Sequence, residues 1–193
     1  MNTIKVPDHL GGHLNRTNTD EPLLVHVKNK FNIKSMLDIG CGPGGMREVA
    51  NRNNIEWFGV DGDPTVIENT DYSLLHDFTL GEAKLDKTFD LVWCTEFLEH
   101  VEEKYVPNYM PLFKLGNIAV VTAAPPGWPG HHHVNCREES YWVDVFKNYG
   151  LKYDAALTAQ FKSISKMNPK EGYEYGDNKN FFLKAGLVFT NGN

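Results

Sequence analysis

The chain has 193 residues, of which 41% are hydrophobic, and this length and apolar content predict a single domain over residues 1–193 with a full core. A formal net charge of −6 argues against binding to duplex nucleic acid, which needs a basic surface, and favours small-molecule partners. Three cysteines without CxxC spacing argue against a disulfide framework and indicate a reducing, cytoplasmic location, and no apolar stretch is long enough for a membrane span.

A polar segment precedes the first predicted helix and contains Gly11 and Gly12. We expect residues 1–20 to form a lid over a site; a disordered leader that contacts nothing is the alternative. The first helix is predicted to begin at Asp20-Glu-Pro22, because proline is tolerated in the first turn, and to run to about Asn32.

The most informative stretch begins at a predicted strand over 36–39 and continues into glycines 40, 42 and 45. Glycine lets the backbone turn tightly and approach a ligand closely. The pattern also satisfies the dinucleotide fingerprint, in which a helix N-terminus receives a pyrophosphate. Asp38 would repel phosphates and attract an ammonium group, which favours S-adenosyl-L-methionine (SAM). A carboxylate that only caps nearby amides is the alternative for Asp38.

Two further predicted strands, over 57–60 and 73–76, are each followed by an acid. The carboxyl ends of parallel strands meet at one edge of a sheet, so we expect Asp61 beside the glycine loop. Asp61 is predicted to bind ribose hydroxyls, with Gly62 beside it, although a simple turn and helix cap would also explain this sequence. Asp77 is predicted to accept a hydrogen bond from the amine of adenine, and Phe78 is predicted to cover the adenine ring.

A fourth predicted strand, over 89–94, is followed by Thr95-Glu-Phe-Leu-Glu-His-Val101. Together with the three acids and the glycine loop, this segment resembles the class I SAM-dependent methyltransferases, in particular small-molecule enzymes of types 11, 12 and 23, over about residues 35 to 123. The resemblance implies SAM as the methyl donor and S-adenosyl-L-homocysteine (SAH) as the product. The residues that it places around the donor are Asp38, Gly40, Cys41, Gly42, Asp61, Gly62, Asp77, Phe78, Thr95 and Glu96. We add Arg16 and His13 as candidates that bind the donor's carboxylate.

The remaining predicted elements complete a three-layer Rossmann-like α/β sandwich. Its seven-stranded sheet is expected to be mostly parallel with an antiparallel last strand. The predicted elements are an irregular helix over 105–114, a strand over 118–123, a helix over 138–149, and strands over 151–157 and 181–190. Residues 160–180 contain Pro and Gly and are predicted to form a mobile loop.

A loop rich in proline and glycine follows the fifth predicted strand and contains His131, His132 and His133. In an extended backbone alternate side chains share a side, so we expect His131 and His133 to face the site together. Histidine suits proton transfer near neutral pH, and our catalytic candidates are His133 and then His131. A solvated surface loop is one alternative.

A divalent metal held by these histidines with Glu96 or Glu99 is another alternative, and our assignment includes no metal ligand. We expect Glu99 and His100 to bond the local backbone and the adjacent loop. The sequence therefore predicts a SAM-dependent methyltransferase acting on a small-molecule or saccharide-like acceptor at oxygen. An NAD(P)-dependent oxidoreductase and a non-catalytic SAM-binding module are the alternatives.

Overall fold

A computed structural model of the chain describes residues 6–13, 15–167 and 180–192. Seven strands form one sheet in the order β3-β2-β1-β4-β5-β7-β6. The strands are β1 (Ser35–Ile39), β2 (Glu56–Asp61), β3 (Ser73–Leu75), β4 (Phe89–Cys94), β5 (Gly116–Thr122), β6 (Leu151–Tyr153) and β7 (Gly186–Asn191). β1 to β5 pair in parallel, and β7 is antiparallel to both of its neighbours. The predicted fold class is confirmed.

Helices pack on both faces of this sheet, and apolar clusters fill the space between the layers. The helices are α1 (Glu21–Phe31), α2 (Gly45–Arg52), α3 (Val106–Phe113), α4 (Glu139–Asn148), α5 (Ala155–Ile164) and α6 (Phe181–Ala185). In one cluster Phe146 of α4 stacks on Phe189 of β7, with ring centroids 3.9 Å apart and both side chains fully buried. No helix among the described residues is both long and apolar enough to cross a membrane.

The first helix forms where its sequence signals place it. The Asp20 side chain accepts a hydrogen bond from the amide of Leu23 and so caps the helix, with Pro22 in the first turn. Asn32 ends it in a left-handed conformation with φ of 54°. Ser165 also donates to the Asp20 carboxylate, which ties the start of α1 to the end of α5.

The strand order places a crevice at the carboxyl edge of the sheet. β1 is central, with β2 on one side and β4 on the other. The chain reverses its direction of progress across the sheet between β1 and β4, and loops there splay to opposite sides. The segments that follow β1, β2, β3 and β4 therefore converge on one crevice.

The C-terminal third differs from the prediction in two places. The strand predicted over 151–157 ends at Tyr153, because Asp154 accepts from the amide of Leu157 and starts α5. α5 also includes the first part of the stretch predicted as a mobile loop, and residues 168–179 lie outside the described residues. The strand predicted over 181–190 begins only at Gly186, because Asn180 caps the short helix α6.

Candidate functional site

Two adjoining cavities lie at the carboxyl edge of the sheet. The larger has a volume of about 270 Å³ and the smaller about 50 Å³. Both are lined by His13, Gly40, Gly42 and Glu96, so the two spaces meet at the glycine loop. The arrangement suits an elongated ligand whose ends differ in chemistry.

The glycine loop is held in a conformation that favours glycine. Gly40 and Gly42 have φ of 71° and 51°. The amide of Gly40 donates to the carbonyl of Val60 at 2.8 Å, which fixes the loop against the end of β2. A Cβ atom at Gly40 would lie 2.5 Å from the ring of Phe97. The loop therefore requires glycine at position 40 for both conformation and space.

Asp38 lies at the end of β1 and lines the smaller cavity. It is 3% exposed, and its Oδ2 accepts a hydrogen bond from Trp57 Nε1 at 3.0 Å. Burial raises the pKa of Asp38 to about 7, and the nearby charge of Asp61 adds to this effect, while the bond from Trp57 opposes it. Cys41 and Thr95 line the same cavity. A cationic ligand bound in this cavity would therefore favour the ionised form of the Asp38 carboxyl group.

Asp61 lies at the end of β2 and lines the larger cavity. Its Oδ2 accepts from the amide of Gly42 at 2.7 Å, and its Oδ1 accepts from the amide of Asp63 at 3.0 Å. Burial raises the pKa of Asp61, although these two amide bonds oppose the effect. Asp61 thus positions the glycine loop in addition to lining the cavity.

Asp77 and Phe78 follow β3 and line the larger cavity beside Gly62. Asp77 Oδ1 accepts from the amide of Thr79 at 2.8 Å, and its Oδ2 lies 3.0 Å from His9 Nε2. Burial alone would raise the pKa of Asp77, but the bonds from His9 and Thr79 hold it below the usual value. Phe78 is 4% exposed and meets Phe97 edge to face at 5.5 Å between ring centroids.

The N-terminal segment lies across this edge of the sheet. His13 Nε2 lies 2.8 Å from Asp63 Oδ2, and this contact holds the pKa of Asp63 below its usual value even though burial raises it. The side chain of Leu10 lies against Gly62, and Arg16 lines the smaller cavity. This placement is compatible with the lid predicted for residues 1–20.

The histidine loop contacts both the N-terminal segment and the larger cavity. His131 Nε2 lies 2.8 Å from the carbonyl oxygen of Asp8. His132 has φ of 49°, so the loop is not extended there and the predicted alternation of side chains does not apply. His133 Nδ1 donates to the carbonyl of Trp128 at 3.0 Å. Burial lowers the pKa of His133, which favours its neutral form.

His133 also joins two residues that follow β4. Its ring meets the ring of His100 edge to face, with centroids 4.9 Å apart. Glu99, His100 and His133 each offer a ligand atom within 4.8 Å of the other two. The main-chain oxygen of Glu99 accepts from the amides of Val134 and Asn135, each at 3.0 Å, which is the backbone bonding expected for this segment.

The environment of the Glu99 side chain differs from that of its backbone. It is fully buried, and within the described residues neither carboxylate oxygen has a hydrogen-bond partner. Burial raises the pKa of Glu99 well above its usual value, and the nearby charge of Glu96 adds to the effect. The amides of Glu99 and Ala124 approach the carboxyl group without the geometry of a hydrogen bond and partly oppose this rise in pKa. Such a group is neutral unless a cation compensates its charge.

Every residue that the sequence placed at the site lines one of the two cavities. The smaller cavity is lined by Asp38, Cys41, Thr95 and Arg16; the larger by Asp61, Gly62, Asp77, Phe78, His131 and His133; and both by His13, Gly40, Gly42 and Glu96. Sequence reasoning did not assign His9, Leu10, Phe97 or Tyr105, which also line the larger cavity. Phe97 belongs to the sequence motif after β4, so that motif could have identified it as a site residue. His9 gave no signal beyond its polar segment.

Comparisons with known proteins agree with this geometry. Residues 37–109 match a family model described as a methyltransferase domain. The chain is 25% identical over 187 residues to the ubiquinone biosynthesis O-methyltransferase of Rickettsia bellii (strain OSU 85-389), and the match covers 87% of this chain and 72% of that protein.

Two solved structures show the same fold. The methyltransferase domain of bacterial CtHen1-C is 17% identical with a TM-score of 0.57, and the match covers 90% of this chain and 97% of that one. The magnesium protoporphyrin IX methyltransferase of Synechocystis PCC 6803, crystallised with bound SAM, is 13% identical with a TM-score of 0.55, and the match covers 86% and 74%.

Proposed function

We propose that this chain, whose residues 37–109 match a methyltransferase-domain family model, is a class I SAM-dependent methyltransferase and transfers the methyl group of SAM to a hydroxyl oxygen of a small-molecule acceptor. The observation that carries the proposal is the pair of adjoining cavities, which meet at the glycine loop and end at a histidine cluster. Transfer to oxygen is favoured by the name of the Rickettsia relative, an O-methyltransferase.

The smaller cavity fits the methionine end of the donor. Asp38 offers a buried carboxylate to the amino group, and Arg16 and His13 are our candidates for the donor's carboxylate. Gly42 lines both cavities at the point where they join, so its backbone would approach the bound donor closely. A pyrophosphate at this point would face Asp38 and Asp61, and this repulsion disfavours the oxidoreductase alternative.

The larger cavity fits the adenosine end. We propose that Asp61 binds the ribose hydroxyls and that Asp77 accepts the exocyclic amine of adenine. Phe78 supplies the apolar surface for the ring. In this arrangement His9, which pairs with Asp77, competes with adenine for the same oxygen or shares it.

The histidine loop supports the acceptor half of the proposal. Bound SAM supplies an electrophilic methyl group on its sulfonium. The protein's part is to align the acceptor oxygen, exclude water and remove the hydroxyl proton. His133 is the first candidate for proton removal, since its Nδ1 donates to Trp128 and its Nε2 keeps a lone pair. His131 is the second candidate.

The remaining proposals concern the chain as a whole. We propose a single methyltransferase domain over residues 1–193 in which the segment up to residue 20 acts as a lid. The free state of all three cysteines supports a cytoplasmic location. The net charge of −6 supports small acceptors, saccharide-like ones included, over duplex nucleic acid.

Ligand-dependent melting tests the donor assignment. SAH at 100 times its Kd stabilises a protein by about 2.7 kcal/mol, which raises Tm by several degrees for a chain of this size. We expect this rise with SAH and none with NAD. Stabilisation by NAD alone would overturn the proposal.

Methyl transfer is tested separately with labelled SAM and a panel of hydroxylated aromatic and saccharide acceptors. We expect turnover with at least one acceptor that depends on Asp61, with the exposed Asp144→Ala on α4 as a matched control. Tight SAH binding without turnover on any acceptor would instead support a non-catalytic SAM-binding module.

A further inference from the structure

The pair formed by His9 and Asp77 lies at the proposed adenine end of the larger cavity. We infer that His9 is a positioning residue, which shares the Asp77 carboxylate with the exocyclic amine of adenine and so holds the N-terminal segment, residues 8–13, closed over the bound donor. The inference rests on the proposed function and deepens it, because it names the residue that retains the donor and makes the site selective for a ring that carries an amine.

The first observation is the state of the contact between the two side chains. His9 Nε2 lies 3.0 Å from Asp77 Oδ2, and the side chains are 29% and 16% exposed. Burial raises the pKa of Asp77, but the bonds from His9 and Thr79 outweigh this effect and hold the pKa below its usual value. The carboxylate is therefore ionised near neutral pH and has no proton to give, so the Nε2–H of His9 is the donor.

The second observation is that the Asp77 carboxylate can accept a further hydrogen bond. Its two oxygens offer about four positions for donors. The amide and the hydroxyl of Thr79 and the imidazole of His9 account for three of these. The remaining position can take the adenine amine, so the imidazole and adenine can bind the same carboxylate at the same time.

The third observation is that contacts beyond the carboxylate hold His9 in place. The side chain of Leu10 lies so close to the chain after β2 that a Cβ atom at Gly62 would be 2.4 Å from it. Further along the segment, His13 Nε2 lies 2.8 Å from Asp63 Oδ2. Because these contacts do not depend on the adenine site, an entering adenine adds a hydrogen bond instead of expelling the imidazole.

The N-terminal segment covers the larger cavity without filling it. Residues 9–13 line the cavity, whose volume with the segment in this position is about 270 Å³. Space for the adenosine end of the donor therefore exists beneath the closed segment. A covering segment of this kind excludes water and slows the release of product, since the ligand leaves only after the segment moves.

The same segment also contacts the histidine loop. His131 Nε2 lies 2.8 Å from the carbonyl oxygen of Asp8, and a Cβ atom at Gly12 would be 2.7 Å from the His131 ring. Gly12 has φ of 94°, so glycine allows both the backbone conformation and the close approach. A donor that keeps the segment closed therefore also fixes the position of the loop that carries the candidate bases.

Calorimetric titration with SAH, together with the rate at which labelled SAH leaves in excess unlabelled SAH, tests the inference on the full chain. We expect His9→Ala to raise the Kd at least about fivefold, the lower end of typical coupling between sites, through faster dissociation. Asp8→Asn is the matched control, because its side chain is exposed and lines neither cavity. It should keep the Kd within about twofold, as for an ordinary surface substitution.

Two substitutions that keep the size of the His9 side chain separate the hydrogen bond from packing. His9→Phe retains a ring but has no donor, and it should lose as much SAH affinity as His9→Ala. His9→Gln can donate from its side-chain amide and should recover most of the affinity. Melting of each ligand-free variant shows whether it folds, and the comparison of His9→Phe with His9→Gln remains valid if His9→Ala does not.

Two further comparisons show whether His9 acts through the carboxylate. In an Asp77→Ala background, His9→Ala should change the Kd for SAH by less than about twofold, since the two losses are not additive when one residue acts through the other. S-inosylhomocysteine carries a carbonyl oxygen in place of the adenine amine and should bind the native chain more weakly than SAH. This preference for SAH should be smaller in His9→Ala.

The outcomes distinguish the inference from the donor assignment. Tighter SAH binding by His9→Ala would show that the imidazole competes with adenine, and unchanged binding would show that it has no part in retaining the donor; either would overturn the inference. The same is true of a loss that persists in the Asp77→Ala background or that His9→Gln does not recover. A native chain that does not bind SAH would overturn the donor assignment and the inference with it.

Discussion

Asp38 gives the sharpest test of the donor site, because its ionisation should control donor affinity near neutral pH. Burial raises the pKa of Asp38 from 3.8 to about 7 in the ligand-free protein. Below that pH the carboxyl is neutral and pairs poorly with an ammonium group. Donor binding should therefore release a proton from Asp38, and the affinity for SAH should rise with pH.

The size of the effect follows from the pKa. If only ionised Asp38 binds the amino group, the apparent Kd for SAH rises about tenfold for each pH unit well below 7. Between pH 8 and pH 6 the total change is about tenfold, or roughly 1.4 kcal/mol. Trp57 donates to the ionised form, so Trp57→Phe should move the midpoint to higher pH.

The same pKa has a consequence for stability, and its sign is opposite to that of an ordinary ion pair. A carboxyl whose folded pKa is raised stabilises the fold most below pH 3.8 and loses that contribution as the pH rises to about 7. The total is about 4 kcal/mol at 1.36 kcal/mol per pKa unit. Asp38→Asn keeps an oxygen for Trp57 and should stabilise the ligand-free protein at pH 8.

Calorimetric titration with SAH at pH 6, 7 and 8 measures the native chain, Asp38→Asn and Trp57→Phe. We expect Asp38→Asn to bind more weakly at pH 8 and to lose most of the pH dependence. A native chain whose SAH affinity does not change over this range would refute the reasoning. So would an Asp38→Asn variant that keeps the full pH dependence.

Three further predictions concern binding and stability. Asp61→Ala should weaken SAH binding by about 1.5–3 kcal/mol in calorimetry, the range for a hydrogen bond to a charged group, and an unchanged affinity would contradict the ribose assignment. Gly40→Ala should lower the free energy of unfolding by more than the control variant Gly127→Ala does. Gly127 has a similar φ of 79° but open space around it, so its substitution should cost only the left-handed strain of roughly 1–2 kcal/mol. Equal losses in the two variants would show that the Phe97 ring moves aside without an energetic cost. Phe146→Ala should cost about 3–5 kcal/mol in denaturant unfolding with SAH affinity unchanged at low temperature, because its stack lies away from both cavities.

Local signals were sufficient for most elements of the fold. Asp20 and Pro22 mark the start of α1, and the observed helix begins between them. Apolar runs predicted β1 to β4, because a short apolar run bounded by polar residues is enough to indicate a buried strand, and the first three of these runs end in an acid. The sequence signals predicted the wrong element where a residue that caps a helix lies within or next to an apolar run. Asp154 and Asn180 each start a helix in a stretch that was predicted as strand.

The positions of the residues that we propose to bind the donor could be predicted because one rule governs them. Parallel strands bring their carboxyl ends to one edge, so residues that follow β1, β2 and β3 meet wherever the sheet forms. His9 was missed because nothing in the sequence relates it to Asp77, from which it is distant along the chain. Only the packing of the N-terminal segment across the edge creates that pair.

The amino-acid sequence by itself determined the fold class, the glycine loop and the acids around it, because strand period and turn chemistry act over a few residues. The tertiary structure alone decided that Glu99, His100 and His133 come together at one corner of the larger cavity, where His100 and His133 form part of the wall. That corner forms when the loop after β5 returns to the end of β4 and donates two amides to the carbonyl of Glu99. Contacts between segments so far apart in the sequence depend on how the complete sheet assembles, and no local pattern specifies them.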